Sequence, residues 1–317
     1  METLTKSKSL ELKKKSRKGI KKDQLALFSM QLPGIIYVLI FSYLPMIGLI
    51  IAFKDYKFNL GMFGSHWNGL KNFEFLFGSN TFFTLVRNTI GYNLVFMIAT
   101  RLLGIFCAIL LYNITNKYSI KVIQSCIFVP YLLSWIVVSY VSHAFLSNST
   151  GMINRIVEMF GGNSISFYTE PKYWPAILIF FNLWKHVGFD TLVYYGTILS
   201  IDTSLLEAAS LDGCTYLRRI WHIVLPHLKT TIVMLLILGI GNICKSDFGL
   251  FFYLPKDTGA LYSVTDTLDT YITRAIRTTG SLGSASAAGL IQSVVGLILV
   301  LISNAAVKKL DSSSALF

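Results

Sequence analysis

Asn182, His186 and Asp190 recur every four residues inside an apolar stretch, so a helix would set all three in one stripe. Ionisable groups at lipid depth are costly to desolvate and are functional candidates when a cavity or a partner receives them. Trp184 and Lys185 adjoin the stripe, and a later apolar stretch adds Asn242, Lys245 and Asp247. Two roles are open to this set. The polar groups can line a path through the membrane, or Lys185, Asp190, Lys245 and Asp247 can neutralise one another as buried pairs that only fix the helices. A third use makes His186 a base oriented by Asp190; the one-turn spacing suits it, but no nucleophile or metal set accompanies the pair. Arg101, in another apolar stretch, is expected to face a packing partner or to snorkel.

The motifs of enzymes are missing. No glycine is followed by lysine, which excludes the phosphate-cradling loop G-x-x-x-x-G-K-[ST], and neither HExxH nor GxSxG occurs. No catalytic residue and no metal site is expected. Cys107, Cys126, Cys214 and Cys244 fall in apolar stretches or on the expected cytoplasmic side, where disulfides do not form.

The elements that must hold these residues are membrane spans. Of 317 residues, 53% are hydrophobic and 14% charged, against roughly a quarter charged in soluble domains, and the mean hydropathy is +0.58. Six stretches reach the ~20 residues needed to cross the hydrocarbon layer: Leu25–Phe53, Asn88–Leu111, Val122–Leu146, Trp174–Leu199, Thr230–Leu254 and Ala285–Val307. Pro33, Pro45 and Pro130 are expected to kink them without ending them. The first stretch is too long for the core of a cleaved signal and is expected to remain.

Charge orients the bundle. The net charge of +12 would suggest nucleic acid in a soluble protein, but nine of the 28 Lys and Arg lie within Lys6 to Lys22, beside the first span. Alternate loops carry about 16 basic residues on the N-terminal side and 9 on the other. Both termini and Cys214 are therefore expected in the cytoplasm, with Trp67, Asn163 and Asp266 outside. Residues 1–24 form the basic N-terminal segment, 25–310 the helical domain and 311–317 the tail.

Between spans four and five, residues 200–229 should form two short helices with a bend. Asp202, Thr203 or Ser204 can cap the first, Gly213 can end it in the left-handed conformation, Thr215 can cap the second, and Pro226 is expected to stop it. Ala208 and Ala209 allow close approach by another protein; Leu211, Leu217, Ile220 and Trp221 offer apolar contact, and Arg218 and Arg219 charge.

Glu207, Ala208, Ala209, Gly213, Ile223, Leu225 and Pro226 match every defined position of E-A-A-x3-G-x9-I-x-L-P. This segment resembles the signature of permease subunits of ATP-binding-cassette importers. The likeness extends to the carbohydrate branch through stretches such as Tyr43-Leu44-Pro45, Trp67-Asn68-Gly69-Leu70-Lys71-Asn72-Phe73 and Thr265-Asp266-Thr267-Leu268-Asp269-Thr270-Tyr271, with oligosaccharide and aldouronate permeases most similar. It implies an all-α, six-span type I importer permease in the cell membrane. It further implies that the elbow, with Asp212, Arg218 and Arg219 among its contacts, docks on partner ATPases that bind ATP and Mg. A second permease, an external solute-binding protein and an oligosaccharide substrate complete the implied assembly. A non-sugar solute, a gated channel and an intramembrane enzyme are the alternatives.

A sugar needs polar groups for its hydroxyls and an aromatic face for its apolar ring surface. Asn182, Lys185, His186, Asp190, Asn242, Lys245 and Asp247 are the expected polar set, with Trp184, Phe180 and Tyr194 as candidates for that face. His143 and Gln292 stay undecided.

Overall fold

The computed structural model describes residues 25–74 and 80–310; the basic segment 1–24 and the tail 311–317 lie outside the described residues. The longest helices follow the apolar blocks, and shorter ones connect them. They are α1 (Leu25–Phe53), α2 (Asn80–Tyr112), α3 (Lys117–Leu132), α4 (Trp135–Leu146), α5 (Met152–Met159), α6 (Trp174–Leu199), α7 (Thr203–Leu211), α8 (Tyr216–Gly241), α9 (Phe248–Tyr253), α10 (Leu268–Thr279) and α11 (Leu282–Leu310). Five of them are long and apolar enough to cross a membrane, and the bent pair α3 and α4 makes a sixth if counted as one span. A two-residue hairpin follows α1, with Lys54 opposite Trp67 and Asp55 opposite His66.

Helix α6 is the hub: α2 packs along it, and α3, α8 and α9 meet it. Two glycines permit this closeness. A Cβ on Gly188 of α6 would lie 2.0 Å from the Ile127 carbonyl oxygen of α3, and one on Gly104 of α2 would lie 2.7 Å from Asp190 Cβ. Helices in lipid gain nothing from burying apolar surface against one another, so backbone approach at small residues carries much of their association.

The core is in two pieces along the helix axes. Phe96, Val138, Trp174, Leu178, Leu250, Phe251, Leu254 and Leu261 form one cluster. Ala108, Tyr194, Ile198, Ile201, Leu206, Val224 and Leu228 form the other. On α2 the residues between are 97–107, and on α6 they are 179–193; the polar stripe falls in this gap.

Two expected spans are corrected. The third is not one kinked helix: α3 ends at Leu132, α4 starts at Trp135, and their axes differ by 98°. Pro130 has no N–H to continue the ladder, Leu133 is extended, and Ser134 caps the new helix by accepting from the Val137 N–H. The fifth span runs Tyr216–Gly241, thirteen to fourteen residues before the expected Thr230–Leu254. Pro226 does not stop it. The preceding turn, Ile220–Val224, is a π-helix in which the Leu225 N–H donates to Ile220 O, so the proline enters at the start of a fresh α segment where its missing donor is tolerated. Pro33 leaves its helix unbroken, while Pro45 opens a 3-10 stretch over Leu44–Phe53.

Candidate functional site

A cleft of about 410 Å³ opens in the gap between the two apolar clusters. Helix α2 contributes Asn93, Phe96, Met97, Thr100 and Arg101 to its wall, and the end of α3 contributes Tyr131. Asn182, His186, Phe189 and Asp190 come from α6; Gly239, Asn242, Lys245 and Asp247 come from the end of α8 and the segment after it. His186 is about 18 Å along a helix about 39 Å long, close to mid-depth.

The chain between α8 and α9, residues 242–247, is non-helical at this depth, which is tolerable only where protein groups receive its backbone. Three elements do so, and a fourth holds the Asp247 side chain. Asn93 Nδ2 of α2 donates to Ile243 O at 2.9 Å and to Lys245 O at 2.8 Å, and Gln292 Nε2 of α11 donates to Cys244 O at 2.9 Å. Asp269 Oδ2 of α10 accepts from the Ser246 N–H at 2.6 Å. Trp135 Nε1 of α4 donates to Asp247 Oδ2 at 2.7 Å, while Asp247 Oδ1 caps α9 by accepting from the Gly249 N–H at 3.1 Å.

Asn242 therefore ends α8; it is not at the centre of a span. The sequence reasoning did not single out Asn93, Trp135 or Asp269 and left Gln292 undecided. Their signal was polarity inside or beside apolar stretches. It lacked a target until the break after α8 was known.

The charged groups are paired differently from the alternative in which Lys185, Asp190, Lys245 and Asp247 neutralise one another. Asp190, almost fully buried, forms an ion pair with Arg101 of α2, one turn from the close crossing at Gly104. Lys185 is buried away from the cleft and donates to the carbonyls of Pro130, Tyr131 and Leu133, the groups freed where α3 ends. His186 Nε2 is 4.0 Å from Asp247 Oδ2, and its Nδ1 is 3.0 Å from Asn182 O. Lys245 is exposed and reaches no carboxylate among the described residues.

The aromatic face is corrected as well. Trp184 and Phe180 line a separate apolar hollow of about 550 Å³, and Tyr194 is fully buried in the second cluster. The rings that reach the cleft are Phe96, Tyr131 and Phe189, with Tyr131 stacked on Phe189 at 5.1 Å and edge-on to His186 at 6.0 Å.

The elbow is built at the other end of α6. Asp202 accepts from the Ser204 N–H and caps α7, and that bond holds its carboxyl below the usual range. Gly213 has φ +70° and closes α7: its N–H donates to Ser210 O at 3.2 Å, and the Cys214 N–H donates to Ala209 O at 2.9 Å. Thr215 precedes α8 without a side-chain cap bond. Arg219 donates to Ser210 Oγ at 2.9 Å across the bend, and Asn113, just after α2, bonds the Tyr216 hydroxyl. Leu206 and Val224 anchor the elbow in the second cluster, while Glu207, Ala208, Asp212, Arg218 and Pro226 are exposed and Ile223 and Leu225 half-buried. Leu211, Leu217 and Trp221 stand 90%, 66% and 68% exposed, an apolar set left for another surface.

On the opposite side of the bundle the segment after α9 is stitched to α2. Asn88 Nδ2 donates to Asp266 O at 2.9 Å, and Arg274 pairs with Asp266 and with Asp257 at 3.3 Å. Burial pushes the Asp266 carboxyl up against the opposing pull of Thr270 and Arg274.

A multi-span helical bundle with a polar cleft at mid-depth and an apolar elbow beneath it has the architecture of a membrane transport subunit. The family described as binding-protein-dependent transport system inner membrane component matches residues 101–312, and the chain belongs to it. The polygalacturonan/rhamnogalacturonan transport system permease protein YteP of Bacillus subtilis is 37% identical over 90% of this chain and 89% of its own length. Protein LplB of the same organism is 35% identical over 92% and 91%. Among solved structures, a bacterial ABC transporter involved in the import of the acidic polysaccharide alginate superposes with a TM-score of 0.81, at 33% identity over 93% of this chain and 98% of that one. The all-α type I importer permease fold expected from the sequence is the fold observed, and the chain is a transport subunit of the membrane.

Proposed function

We propose that this chain moves an oligosaccharide into the cytoplasm through the cleft between α2, α6 and the end of α8. The observation that carries this reading is a polar cleft at mid-depth whose hydrogen-bonding groups, Asn182, His186 and Asn242, adjoin the stacked Tyr131 and Phe189 rings. Sugars ask for that combination, hydroxyl partners beside an apolar ring face. The names of YteP and of the alginate transporter, both concerned with saccharides, support it. Lys245 belongs to the same path, Asp190 and Asp247 line it while held by protein partners, and Lys185 and Trp184, expected there from sequence, act from outside it.

The chain works with a second, homologous permease, two ATPases that bind ATP and Mg, and an external solute-binding protein. The solved alginate transporter is recorded in complex with a pentasaccharide-bound periplasmic protein, which is the kind of partner meant. The elbow, residues 200–229, is the ATPase contact: Glu207, Ala208, Ala209, Asp212, Gly213, Arg218, Arg219, Ile223, Leu225 and Pro226 form it, with Leu211, Leu217 and Trp221 supplying apolar area. ATP binding closes the ATPases, pushes the elbow and biases the bundle between inward-open and outward-open states; a ligand shifts such an equilibrium only by its differential affinity for the two. Both termini and the elbow are cytoplasmic, by the distribution of Lys and Arg.

The test is uptake into sealed vesicles holding the complete complex, with binding protein outside and ATP inside. Labelled oligosaccharide should accumulate only with ATP. Flux that ignores ATP favours a channel, and hydrolysis of the sugar by this chain alone favours an enzyme.

A further inference from the structure

Residues 265–271 do not line the cleft, yet two of their side chains, Thr267 and Asp269, grip the non-helical segment 242–247 that does. Asp269 Oδ2 accepts from the Ser246 N–H at 2.6 Å, from the Ser246 hydroxyl at 2.8 Å and from Gln292 Nε2 at 3.4 Å. Ser246 stands between Lys245 and Asp247, and both of those line the cleft. Whatever moves Ser246 moves them.

The bonds run on from Ser246 to the outer segment. Ser246 Oγ is 2.7 Å from Thr267 Oγ1, the Thr267 N–H donates to Thr270 Oγ1 at 2.8 Å, and Thr270 Oγ1 donates to Asp266 Oδ1 at 2.7 Å. An ionised carboxylate only accepts, so Thr270 gives its proton to Asp266, Ser246 gives its proton to Asp269, and Thr267 must give its own to Ser246. One arrangement of protons satisfies the whole set. Asp266 in turn pairs with Arg274, which also holds Asp257, while Asn88 and Thr89 of α2 bond Asp266 O and the Leu268 N–H. The first turn of α10 is therefore shared between the outer segment and the edge of the cleft.

Resting on the transport reading above, we infer that Asp269 is a positioning residue of the path: through Ser246 it sets where Lys245 and Asp247 stand, and through Thr267, Thr270 and Asp266 that setting is tied to the outer segment. Two charge-assisted bonds, one of them from the backbone, hold Ser246 more firmly than neutral partners would. A displacement of the outer segment is carried to the cleft along bonded groups.

Cys244, buried two residues before Ser246, reports on the segment, because a buried thiol reacts only when its surroundings open. Alkylation of the native cysteines by N-ethylmaleimide, read at each cysteine by mass spectrometry, is followed in the complete complex beside its melting temperature and its ATP-driven uptake per complex. In Asp269→Ala, Cys244 should react about three- to thirty-fold faster, the range for losing bonds to a charged group, and uptake should fall while Cys107 of α2 keeps its rate. Asp269→Asn, which keeps a neutral acceptor, should fall between. Thr270→Val preserves size but cuts the link to Asp266; it should also free Cys244, and should add little to Asp269→Ala. Unchanged Cys244 reactivity and uptake in Asp269→Ala overturn the inference, and so does equal acceleration at Cys107 with a lower melting temperature, which is general loosening. No effect of Thr270→Val overturns the tie to the outer segment. Should Asp269→Ala fail to assemble, Ser246→Ala decides: it keeps the backbone bond, loses the hydroxyl links and should still free Cys244, and an unchanged rate overturns the inference. A wild type that takes up no oligosaccharide with ATP overturns the transport reading, and this inference with it, whatever Cys244 does.

Discussion

Lys185 of α6 donates to the carbonyl oxygen of Pro130, 3.3 Å away, at the point where α3 stops and the chain turns through 98° into α4. The same ammonium reaches Tyr131 O at 3.0 Å and also Leu133 O, and it lies 5.2 Å from the centre of the Trp135 ring. A proline that ends a helix in lipid frees carbonyls that water cannot satisfy, and a buried cation from the neighbouring helix takes the place of the missing donors. The two costly features, a broken helix and a buried charge, offset each other.

Lys185→Met should therefore destabilise the bundle by about 1–3 kcal/mol, since Tyr131 O and Leu133 O lose that donor at lipid depth while Pro130 O keeps the Leu133 N–H. Melting of the detergent-extracted complex measures this. An unchanged melting temperature would show that the break holds without the lysine.

Asp190→Asn should strand the Arg101 guanidinium and cost about 3–5 kcal/mol, seen as a low yield of folded complex. Replacing both residues with apolar ones of similar size should restore much of that yield, because no lone charge remains. Normal yield of the single variant, with uptake per complex reduced, would instead make the pair part of the substrate contact.

His186→Ala tests the path directly, because His186 faces the cleft and, among the described residues, its ring nitrogens touch only Asn182 O and, at 4.0 Å, Asp247. Uptake per complex should fall several-fold, the worth of about 0.5–1.5 kcal/mol of hydrogen bonding, with yield close to normal. Unaltered uptake at equal yield would remove His186 from the path.

At the elbow, Gly213→Val places a β-branched side chain at φ +70°, where L-residues lose about 1–2 kcal/mol. Insertion should be unaffected, but ATPase binding and ATP-driven uptake should both drop, and Glu207→Lys should act likewise by reversing a contact charge. Wild-type coupling in both variants at equal abundance would falsify the assignment.

Orientation can be read by labelling. With the four native cysteines replaced, a single cysteine at Asn163, exposed after α5, should react in intact cells with an impermeant reagent. Reaction only after lysis would invert the topology drawn from the Lys and Arg count.

What the sequence determined by itself is whatever depends on local composition or short spacing. Apolar blocks of about 20 residues identify Leu25–Phe53 and Trp174–Leu199 as spans, because lipid demands that length of any helix. The four-residue interval puts Asn182, His186 and Asp190 on one face, because helix geometry leaves no alternative. Glycine at 213 marks the end of α7, since few other residues adopt that backbone conformation freely. Tertiary structure decided which groups meet. Hydropathy could not show that Pro226 would be carried through by a π turn, or that residues 242–247 would leave the helix at mid-depth; that segment is held by Asn93, Gln292 and Asp269 from three other helices. Nor could it pair Arg101 with Asp190 across 89 residues of chain, or turn Lys185 from the cleft toward the end of α3. These outcomes depend on helix rotation and on close crossings such as Gly104 on Asp190 and Gly188 on Ile127, which are set jointly by chain segments far apart in sequence.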